Sequence, residues 1–145
     1  MKLWTGFITE NVRESRDFYS RVLECAVVHE EAGEDGEPWF VLLRLGQTEL
    51  GFMKPGLEFQ APIFRSAFRG EGAWIAVDVH DVEAEHARIR ALGVAIAADL
   101  REEPWGDKHF VILDPNGIGV DLVQRAEAAE TARAREDAND GAWLA

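Results

Sequence analysis

A chain of 145 residues with one cysteine and a formal net charge of −12 is long enough for one domain with a proper core, since at this size roughly 70% of the unfolded chain's surface is buried. The acidic balance excludes nucleic acid, whose binding relies on Lys and Arg to neutralise phosphates, and favours a cationic guest. Cys25, alone, excludes an intrachain disulfide and a cysteine-rich metal centre; no apolar run approaches the roughly 18 residues of a membrane span, and without a basic-then-apolar leader at its start the chain reads as cytoplasmic.

Residues 3–9 (LWTGFIT) read as a strand. Asn11, with Glu14 three residues on, has capping-box character and opens an amphipathic segment in which Val12, Phe18, Tyr19, Val22 and Leu23 form one stripe. This predicts a helix ending near Glu24. Strand-like runs follow at about 25–31, 38–45 and 48–53, divided by the acidic turn AGEDGE and by LGQ. The stretch 54–71, KPGLEFQAPIFRSAFRGE, is a linker with Phe59, Phe64 and Phe68. It reads as a connection that tucks its rings beneath itself, or as an arm over a cleft or a partner subunit. Beyond it come the strand AWIAVDV, Asp81 as N-cap, the helix VEAEHARIRAL ended by Gly93, and the strands VAIAADL, KHFVILD and GIGVDLVQ. Asp114-Pro115-Asn116-Gly117 has the chemistry of a tight turn, Pro fixing φ and Gly accepting φ > 0. The Ala-, Glu- and Arg-rich tail from 125 to 145 predicts a helix that frays from Asp137 onward.

The order βαβββ thus occurs twice, and the copies share a register. FVLLRLGQTELGFM (40–53) lies over FVILDPNGIGVDLV (110–123) without a gap, at an offset of 70 residues, and LWTGFITENV lies over AWIAVDVHDV at the same offset, pairing Trp4 with Trp74 and Asn11 with Asp81. We expect an α+β fold of two tandem βαβββ modules. One domain then spans 1–124, with the first module at about 1–53, the linker at 54–71 and the second module at 72–124.

The paired modules, the Asp17-Phe18-Tyr19 helix, the second helix ending in ALGV, and the closing LDPNGIGVDLV together resemble the glyoxalase/bleomycin-resistance/extradiol-dioxygenase group, the vicinal oxygen chelate superfamily, over roughly residues 3–124. The resemblance implies a curled mixed sheet around a cleft, and in that family's enzymes a divalent metal takes ligands from the first and last strands of both modules. Carried across, the resemblance puts those four positions at Trp4, Gly51, Trp74 and Asp121. An indole nitrogen is a donor only and glycine has no side chain, so one carboxylate remains where three or four ligands are needed. No metal and no cofactor are expected. Glu49 shares the strand face of Gly51, and His109, matched to Trp39 by the offset, has the parity to point into the cleft. Glu49, His109 and Asp121 are the alternative set of donors. His29, His80 and His86 read as ordinary surface or partly packed histidines.

Without a metal, Trp4 and Trp74 on first strands and Trp39 and Trp105 at strand approaches suggest a pocket walled by flat rings, which stack on planar guests and attract cations. Asp121 is then a partner for a guanidinium, amine or amide N–H. The reading is a metal-free small-molecule binding protein, similar to the bleomycin-resistance branch, that takes a planar, cationic guest in a homodimer. The alternative is a metal-dependent lyase, isomerase or dioxygenase of the same superfamily. A protein-interaction module whose dimer surface is what functions is the third possibility.

Overall fold

The computed structural model describes residues 1–126 together with Ala134 and Ala138, so the helix expected in the tail falls almost wholly outside the described residues. The chain runs β1 (Thr5–Ile8), α1 (Val12–Val22), β2 (Ala26–Ala32), β3 (Pro38–Leu45) and β4 (Thr48–Met53). After a short 3₁₀ turn at Pro62–Phe64 it repeats as β5 (Trp74–Asp78), α2 (Val82–Ala91), β6 (Ile96–Glu102), β7 (Lys108–Leu113) and β8 (Gly119–Gln124). The strands form two four-stranded mixed sheets, β1-β4-β3-β2 and β5-β8-β7-β6. In each, the first strand lies parallel to the last, Gly6 beside Gly51 and Ala76 beside Asp121. The 70-residue offset therefore holds on the first and last strands of each module.

By contact the chain divides into two units, Met1–Ala73 with Leu113–Ile118, and Trp74–Ile112 with the chain from Gly119 onward. In the first unit, alternate strand residues Val41, Leu43 and Phe52 are fully buried with Val12, Tyr19 and Val22 of α1. Phe52 sits between Tyr19 and Phe7 at centroid distances of 5.3 and 6.1 Å. The second unit buries Phe110, Ile112, Val120 and Leu122 with Val82 and Ile89 of α2. Each such side chain stabilises by roughly 1.5–3 kcal/mol relative to exposure.

The helix starts differ from each other. Asp81 accepts from the Ala84 N–H at 3.0 Å, a true cap. The Asn11 side chain does not cap α1. Its Nδ2 donates instead to the Pro115 carbonyl at 3.3 Å, while Thr9 Oγ1 accepts from the Asn11 N–H at 3.0 Å. A distant partner has outcompeted the local capping box.

That partner belongs to the turn 113–118, which the first unit includes. Tyr19 donates its hydroxyl to Asp114 Oδ2 at 2.9 Å, and Asp114 Oδ1 accepts from the N–H groups of Asn116 and Ile118 at 2.8 and 2.9 Å. Asn116 donates through Nδ2 to Ser15 Oγ at 2.9 Å and accepts from Thr9 Oγ1 at 2.6 Å. Tyr19, with Thr9, Asn11 and Ser15, is thus joined to the Asp114–Ile118 turn in one largely buried polar network. Burial beside a carboxylate pushes the Tyr19 phenol far above its ordinary range.

The gap-free match of β3 to β7 is corrected by the sheet register. Ala32 pairs with Pro38 and Glu31 with Phe40, so β3 carries Trp39 as an extra, bulged residue. In the second unit Glu102 pairs with Lys108 and Arg101 with His109, in step. His109 is therefore the counterpart of Phe40, at an offset of 69, and Trp39 has no counterpart. The slip is restored at the next turn. Leu45 pairs with Thr48 around two residues, whereas the Asp114 N–H meets the Ile118 carbonyl at 3.0 Å around three, Pro115 to Gly117, with Gly117 at φ +77°. One residue more in β3 and one more in the β7–β8 turn leave both ends of the repeat in register.

Candidate functional site

In the first unit the sheet face opposite α1 carries every second residue of the strands. Because Gly6 lies beside Gly51, Leu42 beside Gly51 and Phe40 beside Met53, this face presents Trp4, Ile8, Phe40, Gly51 and Met53 together. With Phe64 of the linker they line a cleft of ≈ 330 Å³, at the small end of the range for small-molecule sites, about 300–1,000 Å³. Paired glycines leave its floor as bare backbone. The Trp4 ring occupies the space above: a Cβ built on Gly51 would stand 2.9 Å from Trp4 Cζ3 and 3.6 Å from Phe40 Cε2. Trp4 meets Phe40 edge to face at 6.4 Å and remains 47% exposed, so half of the indole faces solvent at the cleft.

Of the other residues singled out in the sequence, Trp39 is not in the lining. Its ring rests between Phe40 and Phe59 at 6.1 and 5.1 Å. Glu49, on the Gly51 face of β4, is buried and ion-paired to Lys2 at 2.7 Å and Arg44 at 2.9 Å. Lys2 chiefly, with Arg44, holds its carboxyl below the usual range. Trp74 and Trp105 belong to the second unit and are 73% and 68% exposed; Trp105 Nε1 donates to Asp107 at 3.2 Å. Phe40, Met53 and Phe64 were not legible as site residues. The first two share the face of Gly51, Met53 two residues along β4 and Phe40 as its partner on β3, but the spacing alone does not mark them as lining a cleft.

His109 and Asp121 do come together, within the second unit. His109 Nδ1 lies 2.8 Å from Asp121 Oδ1 and Nε2 lies 2.8 Å from Glu103 Oε1, while Arg101 donates to the same Glu103 oxygen at 2.6 Å. Both ring nitrogens are engaged, so the carboxylate of Asp121 already holds a basic partner. The bond to Glu103 first, and that to Asp121 second, raise the His109 pKa above its ordinary 6.5. The same bond, with help from Arg101, lowers Glu103 below its ordinary 4.5 against a smaller opposing effect of desolvation. A raised histidine contributes stability that is complete below its unfolded pKa and lost as pH rises through its folded one; a depressed carboxylate contributes above its unfolded pKa and loses it as pH falls through its folded one. The cluster therefore holds best between about pH 4.5 and 6.5. Above that window the wild type is expected to lose stability that His109→Gln does not lose, read from urea midpoints at pH 6 and pH 9. Parallel midpoints for the two proteins would refute the assignment.

The positions of a family metal do not fit one. Trp4 and Trp74 offer no lone pair, Gly51 offers no side chain and is overlaid by an indole, and Asp121 is bonded to His109. Among the described residues no group of three or more His, Cys, Asp or Glu is arranged to hold a metal ion, and no helix is long and apolar enough to cross a membrane.

Paired βαβββ modules with a cleft on one sheet face define a class of small α+β proteins. Residues 3–122 match the Glyoxalase/Bleomycin resistance protein/Dioxygenase superfamily, and the chain belongs to it. Among curated proteins nothing matches. Solved structures of the same fold include TioX from Micromonospora sp. ML1, 17% identical with a TM-score of 0.71 over 87% of this chain and 100% of that one. A lactoylglutathione lyase from Agrobacterium tumefaciens is 21% identical, TM-score 0.68, over 85% and 92%. TnmS3, an antibiotic binding protein from Streptomyces sp. CB03234, is 20% identical, TM-score 0.61, over 87% and 95%. A lyase and an antibiotic binder share the fold, so the fold leaves the choice to the site.

Proposed function

We propose that this chain is a metal-free small-molecule binding protein whose cleft takes a flat aromatic guest. The observation that carries the reading is the Trp4 ring lying over Gly51, an apolar stacking surface where the family's metal chemistry needs a ligand side chain. Phe40, Met53 and Phe64 continue that surface, and TnmS3, of the same fold, is an antibiotic binding protein. Stacking supplies affinity through buried area and ring geometry. A cationic guest gains attraction to the indole face and is steered by the net charge of −12. Glu49, on the same face of β4, is already matched by Lys2 and Arg44 and is not free to pair with the guest. Calorimetric titration with planar aromatic compounds tests the reading: saturable binding that survives a chelator supports it, and binding or turnover that requires added divalent metal refutes it.

The exposed indoles of Trp74 and Trp105 have a different use in this reading. Tryptophan is enriched in the cores of protein interfaces, and we place these two indoles in the contact of a two-fold homodimer. Light scattering is expected to give twice the protomer mass for the wild type and the protomer mass for Trp74→Ser. A wild-type protomer at micromolar concentration contradicts the dimer.

A further inference from the structure

The linker is not a slack connection. Its first residue is pinned by the Lys54 N–H to the Trp39 carbonyl at 2.8 Å, and its far end by the Phe68 N–H to the Ile8 carbonyl at 2.7 Å, with the Phe68 ring edge-on to Phe7 at 5.1 Å. Between these anchors, buried Gln60 accepts from the Leu57 N–H at 2.8 Å and donates to the Lys54 carbonyl at 2.7 Å. Arg65 closes the loop on itself, Nε donating to the Gln60 carbonyl at 2.9 Å and Nη2 to the Glu58 carbonyl at 3.1 Å. The Gly56 N–H in turn meets the Arg65 carbonyl at 3.1 Å. Two long polar side chains, each costly in rotamer entropy to fix, are thus spent on holding one short segment rigid.

What the rigid segment displays is apolar. Phe64 lines the cleft from the 3₁₀ turn and is still half exposed, its neighbour Ile63 is 81% exposed, and Phe59 is exposed while resting on Trp39. Folding alone would turn such side chains inward or leave the loop free to do so. A loop braced to keep them outside is preorganised for contact, and preorganisation improves affinity by removing the ordering cost at the moment of binding. The occupant is the guest of the adjoining cleft, because Phe64 belongs to both surfaces and the cleft is at the small end for a ligand site.

On the cleft reading above, we infer that the 54–68 loop is the specificity element of the site, and that it selects elongated aromatic guests: a flat ring held against Trp4, carrying a rigid apolar arm that runs out of the cleft onto Phe64 and Ile63. Ile63 makes the discriminating contact. Arg65 is a positioning residue that acts through the loop backbone.

The test compares indole, a compact flat ring, with 2-phenylindole, the same ring bearing a rigid arm, by calorimetry or fluorescence titration. The wild type is expected to bind 2-phenylindole at least tenfold more tightly than indole. Ile63→Ser, at an exposed position, and Arg65→Met are each expected to bring that ratio to within threefold of unity, chiefly by weakening 2-phenylindole, with Arg65→Lys retaining part of the preference. Unchanged ratios in both variants, with indole still binding, overturn the loop's role and leave the cleft reading intact. Failure of the wild type to bind either compound overturns both. Conversion of a wild-type dimer to protomer by Ile63→Ser also overturns the inference, because it makes a second copy the occupant.

Discussion

Replacement of Asp114 by alanine is expected to lower the unfolding free energy by about 3 kcal/mol or more and the melting temperature by roughly 10 °C. Asp114 is 6% exposed and accepts from Tyr19 Oη, from Nδ2 and the backbone N–H of Asn116, and from the Ile118 N–H. Bonds to a charged acceptor contribute roughly 1.5–3 kcal/mol each, though not additively. Truncation also leaves the fully buried Tyr19 hydroxyl without its acceptor, which adds a desolvation cost of about 1–3 kcal/mol. Tyr19→Phe removes donor and need together and is expected to cost less, about 1 kcal/mol. Differential scanning calorimetry of the two variants beside the wild type makes the comparison. A shift under about 2 °C for Asp114→Ala would show that the network is not what ties the 113–118 turn into the first unit.

The largest expected effect on binding follows Trp4→Ala. A tryptophan that supplies one wall of a small apolar cleft is the kind of contact whose removal costs between about tenfold and a hundredfold in affinity, or roughly 1.4–2.8 kcal/mol. Because the ring is about half exposed, stability is expected to change little by comparison, so calorimetry and thermal melting separate a lost contact from a damaged fold. The reciprocal change is Gly51→Ala. Its new methyl would stand 2.9 Å from Trp4 Cζ3, and the half-exposed ring relieves the clash by swinging outward. Affinity falls again while all five tryptophans remain. Affinity unaltered in both variants would move the guest elsewhere.

The two halves of the fold were legible because strand alternation and the helix-start residues Asn11 and Asp81 recur at one spacing, and β1, β4, β5 and β8 obey it. The spacing misplaced β7 because the bulge at Trp39 and the three-residue turn at Pro115–Gly117 compensate each other, and a repeat inspected only at its ends hides both. That slip matters for the site. It pairs His109 with Trp39 when the true counterpart is Phe40, a one-residue error of the kind that exchanges sheet faces. Asn11 misled for another reason: its local pattern is a capping box, but its side chain is claimed by Pro115, 104 residues away. The Tyr19–Asp114 bond spans 95 residues, so neither short motif shows by itself what it is for. Phe64 could be read only as one of three linker rings, since nothing local distinguishes the ring that lines a cleft from the one that packs on β1.

The most direct test of the account is a titration of the metal-depleted wild type and of Trp4→Ala with 2-phenylindole, each with and without an excess of chelator. The account predicts saturable binding by the wild type that the chelator leaves unchanged, and at least a tenfold weaker affinity in Trp4→Ala at nearly the same melting temperature. Binding that appears only after a divalent metal is restored, or that is indifferent to the loss of Trp4, would contradict it.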